Sequence, residues 1–441
     1  MKKALRIIGA LLVAAVIGGC IYLDGLMPII TGYGAKNMAS AVFVSGRDAD
    51  EVEDLDLNFS FIKFDKFKID YEKKTVTSRF LWRKATALYR EGYGVTLLRG
   101  VEADDLLQQP YPLPYETEPA PELPLADSAQ RARLEPIARA LVDERSYNGH
   151  PFAFVALHKG KLVAERYDEG IGPETKLLSW SMGKSFTNAL VGIMDGDDLL
   201  DIYAPMRVPE WRADGRCDIT LNDLLQMQGG LEWNEDYGAR SDVNLMLHRE
   251  KDMGLYALQQ PLSRQPGTHW YYSSGSTNIV MRYLRGLFDS DEAFLSYIRS
   301  RLMAPLGIRN AVWEPDASGT PVASSYLYVT ARDYARFGQL FLDDGCVGSE
   351  RILPKGWVDY TTTPASASDN TYGAFFWLNL GGRWPDAPRD MYACTGHDGQ
   401  QIFIIPSEEL VLVVLGYSPK PDRVIDFNRL IRDVIAGVKG E

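Results

Sequence analysis

Ser181 and Lys184, three residues apart, carry the most reactive pairing in this 441-residue sequence, within Leu178-Ser179-Trp180-Ser181-Met182-Gly183-Lys184-Ser185-Phe186. Apolar residues recur at Met182, Phe186, Ala189, Leu190 and Ile193, the spacing of one helical face, and Asp195-Gly196-Asp197 ends the run. On a helix, side chains three apart share a side. In its first turn, unpaired backbone N–H groups and the helix dipole favour negative charge. A hydroxyl there, with an ammonium one turn on, is a workable nucleophile whose alkoxide is stabilised. Taken alone the pattern is weak, because Ser60-Phe61-Ile62-Lys63 fits it equally well in an ordinary aromatic segment.

Three later stretches raise Ser181 above that background. One is Trp270-Tyr271-Tyr272-Ser273-Ser274-Gly275, ahead of a helix beginning near Thr277. Another is Gly396-His397-Asp398-Gly399-Gln400, leading into a C-terminal hairpin. The third runs from Ile219 through Gln228-Gly229-Gly230 to Trp233. With these in order, the sequence resembles the serine β-lactamase/penicillin-binding-protein superfamily. The resemblance is to the branch holding class C β-lactamases, D-aminopeptidases, related esterases and 6-aminohexanoate-dimer hydrolase, and it runs from about residue 150 to 418. Ser181-x-x-Lys184 looks like the first motif, Tyr272-Ser273-Ser274 stands where the family has Tyr-x-Asn or a variant, and His397-Asp398-Gly399 stands where it has Lys-Thr-Gly or His-x-Gly.

The resemblance implies an acyl-enzyme on Ser181, with Lys184 and Tyr272 as one proton-transfer unit and no cofactor. A tyrosinate could take the serine proton, but a free phenol has a pKa near 10, and bringing it to 7 requires about 4 kcal/mol of differential stabilisation. A cationic Lys184 is one source of it; a neutral Lys184 acting as the base is the alternative. By resemblance the oxyanion is held by the backbone N–H groups of Ser181 and Gln400, and Gly399 lets its strand approach the substrate. His397 replaces the lysine common in penicillin-hydrolysing relatives, and Ser274 replaces an asparagine. Both departures weaken an efficient β-lactamase and suit a hydrolase of small amides or esters. Tyr237, in Glu235-Asp236-Tyr237, matches a tyrosine that closes over the amide in 6-aminohexanoate-dimer hydrolase, and also reads as a loop tyrosine packed on Trp233. Two rivals stand beside this reading. Ser179-Trp180-Ser181-Met182-Gly183 resembles a nucleophile elbow with His397 as its histidine, though Ser replaces the first Gly. A non-catalytic, penicillin-binding-like sensor or interaction domain at the membrane is the other.

These residues need a scaffold, and the pattern predicts an α+β fold: an antiparallel sheet flanked by helices, with a mostly helical subdomain inserted. Strands are expected at 152–158 and 162–167, helices between 200 and 345, and strands again at 375–380, 401–405 and 411–416. A helix is expected at 129–144. The domain spans 126–441. Ahead of it lie a Pro-rich linker at 106–125 and a small strand-rich unit at 31–105, with strands at 41–44, 67–70, 75–80 and 93–98.

Residues 1–30 read as a membrane anchor or lipoprotein signal. Lys2, Lys3 and Arg6 precede an apolar run from Ile7 to Leu23 that Asp24 ends. Its seventeen residues span about 26 Å as a helix, near the lower limit for a bilayer. Ile17-Gly18-Gly19-Cys20 resembles a lipoprotein processing site, although Ile21-Tyr22-Leu23 continues the apolar run. Anchored, lipidated or freely secreted, the body is placed outside the cytoplasmic membrane. The net charge is -12. Without the three bases of the first 23 residues, 44 bases face 59 acids, which argues against nucleic acid as a partner. Four cysteines and five histidines show no metal-ligand spacing, so no metal site is expected. The partners implied are a small amide or ester substrate and the membrane; the oligomeric state is open.

Overall fold

A computed structural model describes residues 2–419 and 423–441. The chain opens with one helix, α1 (Lys2–Phe43). From Arg6 through Tyr22 its residues are exposed, and from Leu23 onward it enters the folded body. Met27, Ile30, Ala35, Met38 and Ala39 form its buried seam, at the three-to-four-residue spacing of one helix face. Alone among the described residues, α1 is long and apolar enough to cross a membrane.

The expected strand at Ala41–Val44 is instead the last turn of α1. Its Val-Phe-Val run has strand propensity, but continuing the seam keeps it helical until Gly46, at φ 69°, turns the chain. The boundary expected at residue 30 therefore falls inside a continuous helix. A short acidic helix, α2 (Ala49–Leu55), follows. The strands β1 (Lys66–Asp70), β2 (Thr75–Phe80), β3 (Arg83–Arg90) and β4 (Gly94–Leu97) then form an antiparallel sheet in that order. The hairpin at 71–74 is where the sequence puts it. The third strand, which the sequence reading misses, turns Ala85 and Ala87 into the core with Val76, Val95 and Leu97, against the α1 seam. Small residues there let the helix lie close.

Residues 108–127 contain no helix or strand, and they lie along the body rather than away from it. Glu116 pairs with Arg309 and Arg299, and Arg336 bonds the Pro121 carbonyl. Next come α3 (Ser128–Val142), β5 (Pro151–His158) and β6 (Lys161–Tyr167). Helix α4 (Gly183–Gly196) carries Lys184; α5 (Asp242–Arg249), α6 (Ser274–Arg285) and α7 (Ala331–Leu342) belong to the helical stretch. Strands β7 (Trp377–Leu378), β8 (Tyr392–Thr395), β9 (Gln401–Ile405) and β10 (Leu410–Gly416) return, and α8 (Phe427–Lys439) closes the chain.

The two ends of the domain meet in one six-stranded antiparallel sheet, ordered β7-β8-β9-β10-β5-β6, with Val413 opposite Val155. Alternation sorts its side chains. Phe154, Ala156, Phe403, Leu412 and Val414 pack under α3 and α8, while Val155, Leu157, Ile402, Val411 and Val413 share the larger core with α4 and α7. The fold is α+β, as expected. The strand expected over 375–380 shrinks to two residues because Phe375 adopts φ 57° and sends its carbonyl to the Ser185 hydroxyl, 2.8 Å away.

Candidate active site

Ser181 is placed by a sharp turn between a short strand, Lys176–Leu178, and α4. Ser179 N–H donates to the Leu327 carbonyl at 2.8 Å and its hydroxyl to the Trp180 carbonyl at 2.8 Å. Trp180 then takes φ 45°, a left-handed conformation costing a non-glycine residue about 1–2 kcal/mol. Packing offsets that cost. The Trp180 ring lies against Tyr326, His397 and, from α1, Tyr33. Helix α4 is buried nearly all round. Asn188 bonds the Ala374 carbonyl and the Trp357 indole, and a Cβ at Gly192 would sit 2.4 Å from that indole. Within so fixed a helix, Lys184 is only 1 % exposed.

Lys184 Nζ has three neighbours: Ser181 Oγ at 2.9 Å, Ser274 Oγ at 3.1 Å and the Ser324 carbonyl at 3.2 Å. Ser274, the first residue of α6, in turn donates its hydroxyl to Glu235 Oε1 at 2.5 Å and its N–H to Glu235 Oε2 at 2.9 Å. The Trp233 indole also donates to Glu235 Oε2, at 2.5 Å, and the Tyr237 hydroxyl to Oε1, at 3.4 Å. Every partner of Glu235 is a donor, and one is a helix-start amide, so the group is built as a carboxylate.

Its proton count fixes the rest. Ser274 spends its only hydroxyl proton on Glu235 and must accept from Lys184; the Ser324 carbonyl can only accept. The ammonium has a third N–H for Ser181 Oγ; the neutral amine has two, which these acceptors use, so in that form its lone pair faces Ser181. Burial lowers the Lys184 pKa to about 8, with Glu235 the opposing influence.

Tyr272 and Glu235 keep part of their surface open, yet their titrating atoms are desolvated. Burial, then Glu235, pushes the Tyr272 phenol well above its usual value, and the Ser181 hydroxyl opposes this. Burial thus raises Tyr272 and lowers Lys184, a pair of directions that favours the neutral-lysine alternative over the tyrosinate. The Tyr272 ring sits 4.8 Å from Lys184 Nζ and stacks on Trp377 at 5.5 Å. Burial likewise holds the Glu235 carboxyl above its ordinary value, against Lys184 and the donors of Ser274 and Trp233.

Tyr237 stacks on His397 with ring centroids 5.1 Å apart, and its hydroxyl is 3.5 Å from Ser274 Oγ. Its loop is clamped from α5, where Asn244 Nδ2 reaches the carbonyls of Asp236, Tyr237 and Ala239. His397 is exposed and lies 3.2 Å from Asp398; the contact at Ser181 Oγ is Lys184, which leaves the histidine-triad rival without its central hydrogen bond. The Gln400 side chain is occupied with both Gly416 backbone groups, fixing the turn that carries its N–H. Gly399 adopts φ 89°, and an added Cβ would lie 3.1 Å from Ser418.

All eight residues singled out from the sequence thus belong to one neighbourhood. Missed were Glu235, the Ser324 carbonyl and Asn244. Glu235 was visible only as part of the Tyr237 triplet, and nothing in the sequence signals a backbone carbonyl as a partner of Lys184. Among the described residues no group of three or more His, Cys, Asp or Glu could hold a metal ion.

Residues 137–435 match the family described as beta-lactamase. The chain belongs to the β-lactamase family. It is a hydrolase of the β-lactamase fold. Over 317 residues it is 27% identical to the 6-aminohexanoate-dimer hydrolase of Paenarthrobacter ureafaciens, covering 66% of this chain and 79% of that one. A solved structure from Bacillus anthracis, provisionally designated a 6-aminohexanoate-dimer hydrolase, superposes with TM-score 0.61 at 22% identity, covering 74% of this chain and 90% of its own. EstA from Arthrobacter nitroguajacolicus Rue61a gives 0.55 at 16%, covering 72% and 98%. The likeness of these two structures is one of fold. The family match begins at residue 137, so α1 and its sheet lie outside it.

Proposed function

We propose that the protein is a serine hydrolase of small amides or esters, tethered by α1 with its catalytic body outside the cytoplasmic membrane. The observation that carries the reading is the contact of Lys184 Nζ with Ser181 Oγ at 2.9 Å: once the ammonium has lost a proton, Ser274 and the Ser324 carbonyl use its two N–H bonds and its lone pair faces Oγ. As Oγ attacks the substrate carbonyl carbon, its proton passes to Nζ. The carbonyl oxygen becomes an oxyanion, met by the N–H groups of Ser181 and Gln400, each such donor lowering the barrier by about 3 kcal/mol. The proton returns through the Lys184–Tyr272 unit to the leaving nitrogen or oxygen, and the C–N or C–O bond breaks. Water repeats the sequence on the acyl-enzyme, with Lys184 accepting its proton and Ser181 leaving. Tyr237 and His397 form the wall beside this centre and bear on substrate choice. The amide side of the proposal draws on the 27% identical relative, named for cleaving 6-aminohexanoate dimer.

The test is intact-mass analysis of the full chain in detergent after exposure to a fluorophosphonate, alongside Ser181→Ala, Lys184→Ala and Tyr272→Phe. One adduct on the wild type, none on Ser181→Ala and strongly slowed labelling of the other two is the expected outcome. A well-folded wild type that stays unlabelled refutes the hydrolase mechanism and favours the non-catalytic sensor. Labelling that survives Lys184→Ala refutes the proton-transfer unit.

A further inference from the structure

Where α1 leaves the body, the surface changes character. Asp24, the first charge after the apolar run, accepts from the Trp82 indole at 2.8 Å and from Arg83 at 2.7 and 2.6 Å. The tip of the β2–β3 hairpin is thereby fixed beside the exit of the helix. Leu81 and Trp82 at that tip are 54 and 53 % exposed, and Phe61 and Phe64 on the preceding loop are 50 and 55 % exposed. Phe61 lies against Phe80, next to the tip, with ring centroids 6.3 Å apart. Exposed large apolar side chains at this tip, with Phe61 beside it and Phe64 one short helical turn further on, form the kind of patch that marks an interaction surface.

Charge points to the same partner. Lys66, Arg79 and Lys84 stand directly opposite one another across β1, β2 and β3, all exposed. Like charges so paired repel unless an outside anion screens them. Arg240 adds a base, its Nε 3.7 Å from where a Cβ on Gly25 would lie. The chain as a whole is strongly acidic, so this basic corner is a local inversion. The acids Asp48, Asp50, Glu51, Glu53 and Asp54 follow the other end of α1, whose last residue, Phe43, is nineteen helical residues or about 28 Å along the axis from Asp24.

We propose that the Leu81–Trp82 hairpin tip, Phe61 and Phe64, backed by Lys66, Arg79 and Lys84, dock the enzyme body onto an anionic bilayer surface around α1. The apolar side chains enter the headgroup boundary, where aromatic residues concentrate, and the bases meet lipid phosphates. The inference rests on the reading of α1 as a membrane anchor and adds a second, surface contact that holds the body down. Tyr33, about 14 Å along the helix from Asp24, packs on Trp180, so the nucleophile turn is held a short, fixed height above the lipid.

The test uses the full chain in nanodiscs of phosphatidylcholine and phosphatidylglycerol, with Cys20, Cys217 and Cys346 replaced by serine. An environment-sensitive fluorophore is attached in turn at Val13→Cys, Leu81→Cys and Glu53→Cys, and quenched by lipids bearing a shallow nitroxide. Quenching at 13 and 81 but not at 53 is expected, with that at 81 lost on Lys66→Glu/Arg79→Glu/Lys84→Glu while that at 13 persists. A label at 81 as unquenched as that at 53, with 13 quenched, overturns the docking face. So does quenching at 81 that is indifferent to charge reversal. No quenching at 13 removes the anchor itself, and the docking proposal with it.

Discussion

Replacing Glu235 with glutamine preserves shape and removes one charge, and the consequence at Lys184 can be worked out. The legs from Nζ to Ser274 Oγ and on to Oε1 are 3.1 and 2.5 Å, so the charges are at most about 5.6 Å apart. At an effective dielectric near 20 that separation is worth about 3 kcal/mol, or about two pH units. Glu235 raises the Lys184 pKa, so its loss lowers it from about 8 to about 6. The base must be neutral to work, so wild-type kcat/KM rises with pH through about 8, and in Glu235→Gln the rise moves to lower pH. The plateau also falls, since the glutamine amide faces donors and frees Ser274 to donate into the lone pair. One misdirected hydrogen bond costs about 1–3 kcal/mol, roughly a tenfold to hundredfold loss. A short-chain chromogenic ester, assayed for kcat/KM from pH 5 to 10 as on the order of the Lys184 range, reads both effects. An unmoved midpoint refutes the coupling. Activity that falls as pH rises through 8 refutes the neutral-lysine base.

Two further outcomes follow from the same geometry. Asn244→Ala removes the clamp on three loop carbonyls, so KM for a bulky amide rises while fluorophosphonate labelling of Ser181 is little changed, as steady-state and labelling kinetics together will show. His248, buried where α1 meets α5, has its pKa lowered to about 3 by burial, then by Arg99 and Lys36. The unfolded chain therefore binds a proton below about 6.5 that the folded one refuses, and stability falls by up to about 1.4 kcal/mol per pH unit from there toward 3. Denaturant midpoints measured across that window become less pH-dependent in His248→Phe.

The sheet and its helices were legible because their signals are local. The continuous apolar runs at 152–158, 401–405 and 411–416, buried on both faces, and the apolar stripe of α4 survive folding unchanged. What was lost depended on distant partners. The third strand reads as the unremarkable Arg83-Lys84-Ala85-Thr86-Ala87, and its alanines make sense only against α1. Val42-Phe43-Val44 has strand propensity that a long-range seam overrides. The site follows the same rule: motif residues were found because they repeat a spacing, whereas Glu235 matters through a proton count that only three-dimensional neighbours supply. The choice between tyrosinate and neutral-lysine base was left open in the sequence for a related reason, since burial depth is not written in the residues around Tyr272.

The contact between Lys36 and Glu314 spans 278 residues and is fully buried, with Ser40 and the Val95 amide completing the carboxylate. Its consequence lies in biogenesis. At roughly 5–20 residues per second, some 15–60 s separate the synthesis of the two partners. The helix and its four strands can assemble early, but Lys36 must stay hydrated until Glu314 arrives, because an ammonium buried alone is too costly. Closure of the late half of the chain onto α1 is thus set as a last step. A chain stopped short of residue 314 would display that waiting surface to chaperones and proteases, a built-in mark of incompleteness.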